Sequence, residues 1–284
     1  YVVRISVKAD ENYESVSATK EFSIHKKKMK ISADGYTGTY DGQAHGITVN
    51  VTEPADSAAS NVNVVYGTKS ADGNVIYSEN PVTYKDAGEY TVYYKVTADN
   101  YEDVIGSAVV KITPKTVRLV WSDTEFTYDG QAHKPSANVN PDDVIGSDSV
   151  EVTVTGEQTN AGSCTAQAAA LSNGNYILGS DVRTAFAINK AKATVTVDDA
   201  KKHIGKDDPI FTYKVTGLVT GESLKDITVA RTEGEAAGRY DITATAKEGS
   251  NANYDMTFVA GKLTIEDHIK AETPIIENRV EAGC

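Results

Sequence analysis

Cysteine is nearly absent. The 284 residues hold two, Cys164 and Cys284, in different segments. Two such cysteines cannot staple each of several domains, so stability has to come from strand pairing and packed cores. Tryptophan occurs once, at Trp121, and methionine twice. Basic residues are outnumbered, with 28 Lys and Arg against 40 Asp and Glu, for a formal net charge of −12. That balance argues against a surface built for nucleic acid or anionic lipid, both of which need a basic face. It suits a soluble, monomeric surface protein. No apolar run reaches the length of a membrane span, and no signal peptide opens the chain.

What is present is repetition. Tyr40-Asp41-Gly42-Gln43-Ala44-His45 recurs letter for letter at Tyr128-Asp129-Gly130-Gln131-Ala132-His133, one domain length further on. Ala87-Gly88-Glu89-Tyr90 recurs as Ala161-Gly162-Ser163-Cys164 and as Ala237-Gly238-Arg239-Tyr240. Each is followed by an alternating run and by Asn-Tyr, at Asn100-Tyr101, Asn175-Tyr176 and Asn253-Tyr254; Asn12-Tyr13 is a further copy. Lysine-containing junctions close the copies, at Ile24-His25-Lys26, Ile112-Thr113-Pro114-Lys115 and Ile188-Asn189-Lys190. The expected organisation is the second half of a repeat at 1–27, whole repeats at 28–114, 115–190 and 191–266, and a linker or start of a further repeat at 267–284. On this reading the chain is a piece of a longer protein.

Period-two alternation dominates. Tyr90, Val92, Tyr94 and Val96 face one way and Thr91, Tyr93, Lys95 and Thr97 the other, the pattern of a half-buried strand. Tyr, Val and Thr are frequent, and Asp-Gly and Asn-Gly pairs punctuate the runs. No segment keeps helical periodicity for three turns. The expected fold is therefore all-β, as tandem immunoglobulin-like antiparallel sandwiches in an elongated array. Tyr90 and Tyr240 fit the tyrosine that ties its hydroxyl back to the corner backbone in such sandwiches, after the bends at Gly88 and Gly238. Cys164 replaces it after Gly162, so the middle repeat should lack this tie. Val117, Leu119 and Trp121 alternate and are expected on one buried face.

These motifs resemble a known group. Thr39-Tyr40-Asp41-Gly42-Gln43 and Thr127-Tyr128-Asp129-Gly130-Gln131, with their downstream Ala-Gly and Asn-Tyr signatures, look like the MBG-type repeats of bacterial surface proteins. Gly205-Lys206-Asp207-Asp208-Pro209 and Tyr213-Lys214-Val215-Thr216-Gly217-Leu218 look like the sister type, with His203-Ile204 where a Tyr usually precedes the Gly. The tail from Pro274 resembles linkers in cell-surface proteins of gut clostridia. The resemblance covers about nine-tenths of the chain. It implies tandem immunoglobulin-like domains of large, secreted, often wall-attached, adhesin-like proteins, and no shared catalytic residue.

Few residues invite chemistry. His45 and His133 repeat, each four residues after an aspartate, Asp41 or Asp129. Asp-Gly is itself a turn signature, in which Gly42 or Gly130 takes the positive φ and the aspartate bonds nearby backbone. Calcium needs six to eight oxygen ligands. At a joint it would draw on Asp198-Asp199 and Asp207-Asp208, early in the third repeat, although no stretch has calcium-loop spacing. No catalytic residue and no cofactor is expected. The expected role is an extracellular stalk or spacer of a bacterial cell-surface, adhesin-like protein, with small contacts between repeats. The alternatives are a module binding host or neighbouring-cell glycan or protein, and an accessory region of a large secreted glycan-degrading enzyme.

Overall fold

A computed structural model describes residues 1–55 and 61–267. Cys284 and nearly all of the expected tail lie outside the described residues. The fold is all-β and sandwich-like, built from several small sheets. One 3-10 turn, Pro141–Asp143, interrupts the strands, capped by the Asn140 side chain. The residues gather into two compact units that do not follow the repeats. Each is described by itself.

The first unit holds Tyr1–Leu119, Val139–Val152 and Ala170–Asp181. It opens on a hairpin, Val2–Val7 against Val16–Glu21, with every side chain exposed. Its main sheet has the order Tyr36–Thr39, Val104–Thr113, Gly88–Thr97, Asn63–Lys69, Val75–Ser78. All pairs are antiparallel except the first, which is parallel. Lys30–Asp34 pairs separately with Thr48–Glu53. The period-two pattern of Gly88–Thr97 resolves into fully buried Val92 and Val96. Val110, Ile112, Ile47 and Tyr40 cluster with Val92, and the same cluster runs on into Val117, Val139 and Tyr176. A core that reaches from residues 40–112 into residues 117–176 is more than the small contact expected between repeats.

The second unit holds Val120–Asn138, Thr153–Ala169 and the residues from Val182 onward. One four-stranded sheet orders Glu125–Thr127, Arg183–Asn189, Gly162–Leu171 and Val152–Thr155. The third repeat makes two sheets. One runs Tyr213–Thr216, Ala191–Val197, Tyr254–Val259; the other runs Ala200–His203, Gly261–Glu266, Gly238–Ala246, Ile227–Arg231. Val195, Val197, Ile242, Ala244, Leu263 and Ile265 form one buried cluster. Trp121 is half-buried rather than core, and its indole nitrogen is sealed from water without a hydrogen-bond partner.

Backbone register aligns the repeats better than the letters do. Thr39 pairs with Thr113, Thr127 with Asn189, and His203 with Glu266, each in parallel. The next amide bonds back in every case: Tyr40 to the Thr113 carbonyl (2.9 Å), Tyr128 to Asn189 (2.8 Å) and Ile204 to Glu266 (3.1 Å). Ile204 therefore occupies the place of the two tyrosines, and the third copy lacks the hydroxyl. The junctions repeat as well. The amides of Lys27, Lys115 and Ala191 donate to the carbonyls of Asn100, Asn175 and Asn253, which is one task of the Asn-Tyr signature.

Candidate functional site at the repeat joints

The duplicated hexamer is a turn with a load on each end. Asp41 Oδ1 accepts the Gln43 amide (2.9 Å), and Asp129 Oδ1 accepts that of Gln131 (2.8 Å). Gly42 and Gly130 sit at φ 77° and 81°, which an L side chain adopts only under strain. The histidines close the turn. His45 Nε2 lies 3.0 Å from Asp41 Oδ1, and His133 Nε2 lies 2.8 Å from Asp129 Oδ1. Their rings stack on Tyr36 (centroids 3.8 Å) and Phe126 (4.6 Å). The hydrogen bond from His45 is the leading cause holding the Asp41 carboxyl below its ordinary range. For Asp129 the Gln131 amide leads and His133 follows. Each histidine thus spends its nitrogen on a turn and its face on an aromatic ring.

The turns present Tyr40 and Tyr128 to a carboxylate from the following repeat. Tyr40 is 3% exposed, and its hydroxyl donates to Asp148 Oδ2 at 2.8 Å. Tyr176, from the Asn-Tyr signature, donates to the same oxygen at 2.7 Å while its own oxygen accepts the Ile145 amide at 2.9 Å. In the second unit Tyr128 and Tyr254 both donate to Glu222, one to each carboxylate oxygen, and the Tyr254 oxygen accepts the Val219 amide at 3.1 Å. The asparagines complete the joints. Asn175 Oδ1 accepts the Ala87 amide (2.7 Å) and its Nδ2 donates to Asp86 (2.9 Å). Asn253 Oδ1 accepts the Ala161 amide (2.9 Å) and its Nδ2 donates to Asn160 (3.1 Å). The turn glycines touch the same faces. A Cβ on Gly42 would stand 2.6 Å from Ile145, and one on Gly130 would stand 3.1 Å from Val219.

Electrostatics follows the geometry. Hydrogen bonds from Tyr176, then Tyr40, hold Asp148 below its ordinary range. Those from Tyr128, then Tyr254, do the same for Glu222. Tyr40 is pushed up to about 12, first by burial and then by Asp148. Tyr176 and Tyr254 are raised chiefly by burial, and Tyr128 chiefly by its bond to Glu222.

Tyr90 and Tyr240 each bond back to a carbonyl four residues upstream. Tyr90 donates to the Asp86 carbonyl (3.2 Å), and Tyr240 to that of Ala236 (3.0 Å). Both rings are half-buried and pack against a buried cluster. The Tyr90 ring fills the place of a Cβ on Gly88 (2.7 Å) and stacks on Tyr84 (3.8 Å). The Tyr240 ring lies over Gly234 and comes no nearer than 3.9 Å to a Cβ on Gly238. At Gly162 nothing stands within 4 Å, as expected where the half-buried Cys164 has no ring to offer.

The aspartates considered for calcium are not brought together. Asp198 accepts from Thr212 and pairs with Lys214. Asp199 accepts the Lys262 amide. Asp208 pairs with Lys202 (2.8 Å) and Arg231 (2.6 Å), which also share Glu235. Asp207 joins none of these contacts. Among the described residues no group of three or more His, Cys, Asp or Glu side chains could hold a metal ion. Asp198 and Asp208 are each ion-paired with cationic side chains.

Residues 193–264 match the MBG domain (YGX type). In the matched segment Ile204 stands before Gly205 at the place that Tyr40 and Tyr128 hold in the other copies. No curated protein sequence matches the chain. Among solved structures, the Bacteroides ovatus mixed-linkage glucan utilization locus protein SGBP-B, in complex with a mixed-linkage heptasaccharide, is 12% identical. That match covers 86% of this chain and 69% of that one, at a TM-score of 0.21. The protocadherin GammaB4 extracellular domain is 8% identical over 93% of this chain and 54% of that one, at a TM-score of 0.24. At such TM-scores neither likeness says anything of function here. No helix among the described residues is long and apolar enough to cross a membrane.

Sequence reading missed Asp148, Glu222 and the two asparagine side chains as joint residues. The asparagines were visible as a repeated signature. The acids were not, because they differ in type and sit in loops of unlike sequence.

Proposed function

We propose that this chain is a non-catalytic spacer of a bacterial cell-surface, adhesin-like protein, placed outside the cell, in which repeated sandwiches hold other domains away from the wall. The observation that carries the reading is the duplicated joint. Two tyrosines and one carboxylate, with an asparagine clasp, are assembled twice from different loops. A spacer needs its joints set, and a part-buried network that gives two tyrosyl hydroxyls one shared acceptor favours one geometry. The repeat boundaries at 28–114, 115–190 and 191–266 belong to the same proposal, as does the MBG character of the first two repeats. Pulsed dipolar spectroscopy tests it, with two spin labels placed inside the first unit on either side of the Tyr40–Asp148 joint. A single narrow distance supports the spacer, and a broad distribution overturns it.

A second reading, a glycan- or protein-binding module, has one observation in its favour. A polar hollow of about 320 Å³ lies at the second joint, lined by Tyr128, Glu222, Ser223, Lys225, Asn251 and Asn253 among others. Amide shift changes at Asn251 and Asn253 on adding soluble glucans would favour this reading over the spacer.

A further inference from the structure

The joints hold by charge as well as by packing. A tyrosyl hydroxyl bonded to an ionised carboxylate makes a bond roughly twice as strong as a neutral pair. At each joint the second tyrosine is held in place, because its oxygen also accepts a backbone amide, from Ile145 or Val219. Both hydroxyls share one carboxylate as their acceptor.

We propose that the two joints are acid-released latches, in which protonation of Asp148 or Glu222 frees the tyrosine of the preceding repeat and loosens the contact between the two repeats. This goes beyond the spacer reading and rests only on the joint geometry.

The charged neighbours are few. Asp148 faces Tyr40, Tyr176 and Lys85, and Asp86 lies close to Tyr40. Glu222 faces Tyr128 and Tyr254, with Lys225 lining the same hollow and Asp129 next to Tyr128. The joints also differ in a useful way. Asn175 donates to a carboxylate, Asp86, whereas Asn253 donates to the amide side chain of Asn160. At the second joint Glu222 is thus the single carboxylate among these bonds across the junction, which makes it the cleaner test. The sign is fixed by direction. A carboxyl held below its ordinary value in the folded state contributes stability above the unfolded value, about 4.3 for Glu, and loses it as pH falls through the folded value.

The test reads the Ala161 amide, whose acceptor is Asn253 across the joint. Hydrogen exchange is followed by NMR on the full chain, corrected for intrinsic rates and referenced to the Ile242 amide in the buried cluster. The expected result is that Ala161 protection falls at least tenfold between pH 6 and pH 3 while Ile242 protection holds. In Glu222→Gln, Ala161 should be poorly protected at pH 6 already, with no further fall. Asp129→Asn should keep the wild-type fall, which separates the latch from the neighbouring Asp129–His133 pair. Flat wild-type protection down to pH 3, or an unchanged acid response in Glu222→Gln, overturns the proposal. If Glu222→Gln does not fold, the wild-type and Asp129→Asn curves decide it by the same criteria.

Discussion

Tyr40 meets Tyr176 edge to face, ring centroids 5.5 Å apart and planes at 74°. Tyr128 meets Tyr254 in the same way, at 5.6 Å and 83°. The first tyrosine of each pair comes from the duplicated hexamer, and the second from the Asn-Tyr signature of the next copy. Two motifs that look independent in the sequence are thus two halves of one contact.

Removing one hydroxyl at that contact should be felt. Tyr40→Phe keeps the ring and deletes a bond to an ionised group, which is worth about 1.5–3 kcal/mol. Thermal melts should show a lower Tm. A variant that melts with the parent would mean the bond contributes nothing net.

Alkali should act on the same residue. Tyr40 is pushed up to about 12 in the folded chain, against about 10 when unfolded. A raised value means its contribution is complete below about pH 10 and is lost as the pH climbs toward about 12. Ultraviolet titration of tyrosinate absorbance should show a late-ionising component that Tyr40→Phe removes.

Gly42→Ala combines a positive φ with a contact 2.6 Å from Ile145. Strain and overlap together should cost more than about 1 kcal/mol. Gly146→Ala is the comparison, since φ there is 57° but nothing stands within 4 Å of the new Cβ. Denaturant midpoints should fall further for Gly42→Ala, and equal midpoints would show that Ile145 yields freely.

The corner tyrosines can be tested by loss and by restoration. Tyr90→Phe should cost about 0.5–1.5 kcal/mol, the ordinary net value of one hydrogen bond. Cys164→Tyr should place a ring over the empty space at Gly162, with its hydroxyl near the Asn160 carbonyl four residues upstream. A rise in Tm of the middle repeat is expected, and a fall would show that Phe186, paired opposite, leaves no room.

Much of this was legible in the letters, for reasons the structure makes plain. Val92 and Val96 alternate with Thr91 and Lys95 because one face is core, so periodicity reports burial directly. Asp41-Gly42 reads as a turn because its bonds are local. The joints resisted reading because their bonds join residues far apart. Asp148 lies 108 residues from Tyr40, and Glu222 lies 94 from Tyr128. Nothing near Asp148 in sequence marks it off from the other loop aspartates. The surroundings of the calcium candidates were hidden for a related reason, since Lys202 and Arg231 reach Asp208 from other strands.

The buried cluster that crosses from Tyr40 to Tyr176 has a bearing on how the protein can be divided. Pro114 marks the seam of the repeat in the sequence, which invites cutting a fragment there. It would be a poor one. Its Tyr40 ring would face water, with Tyr176 gone from its edge and Asp148 gone from its hydroxyl. A piece that keeps this ring dry has to carry the stretches at 139–152 and 170–181 as well. In molecular terms, the length over which the sequence repeats and the length that can be cut free are different quantities.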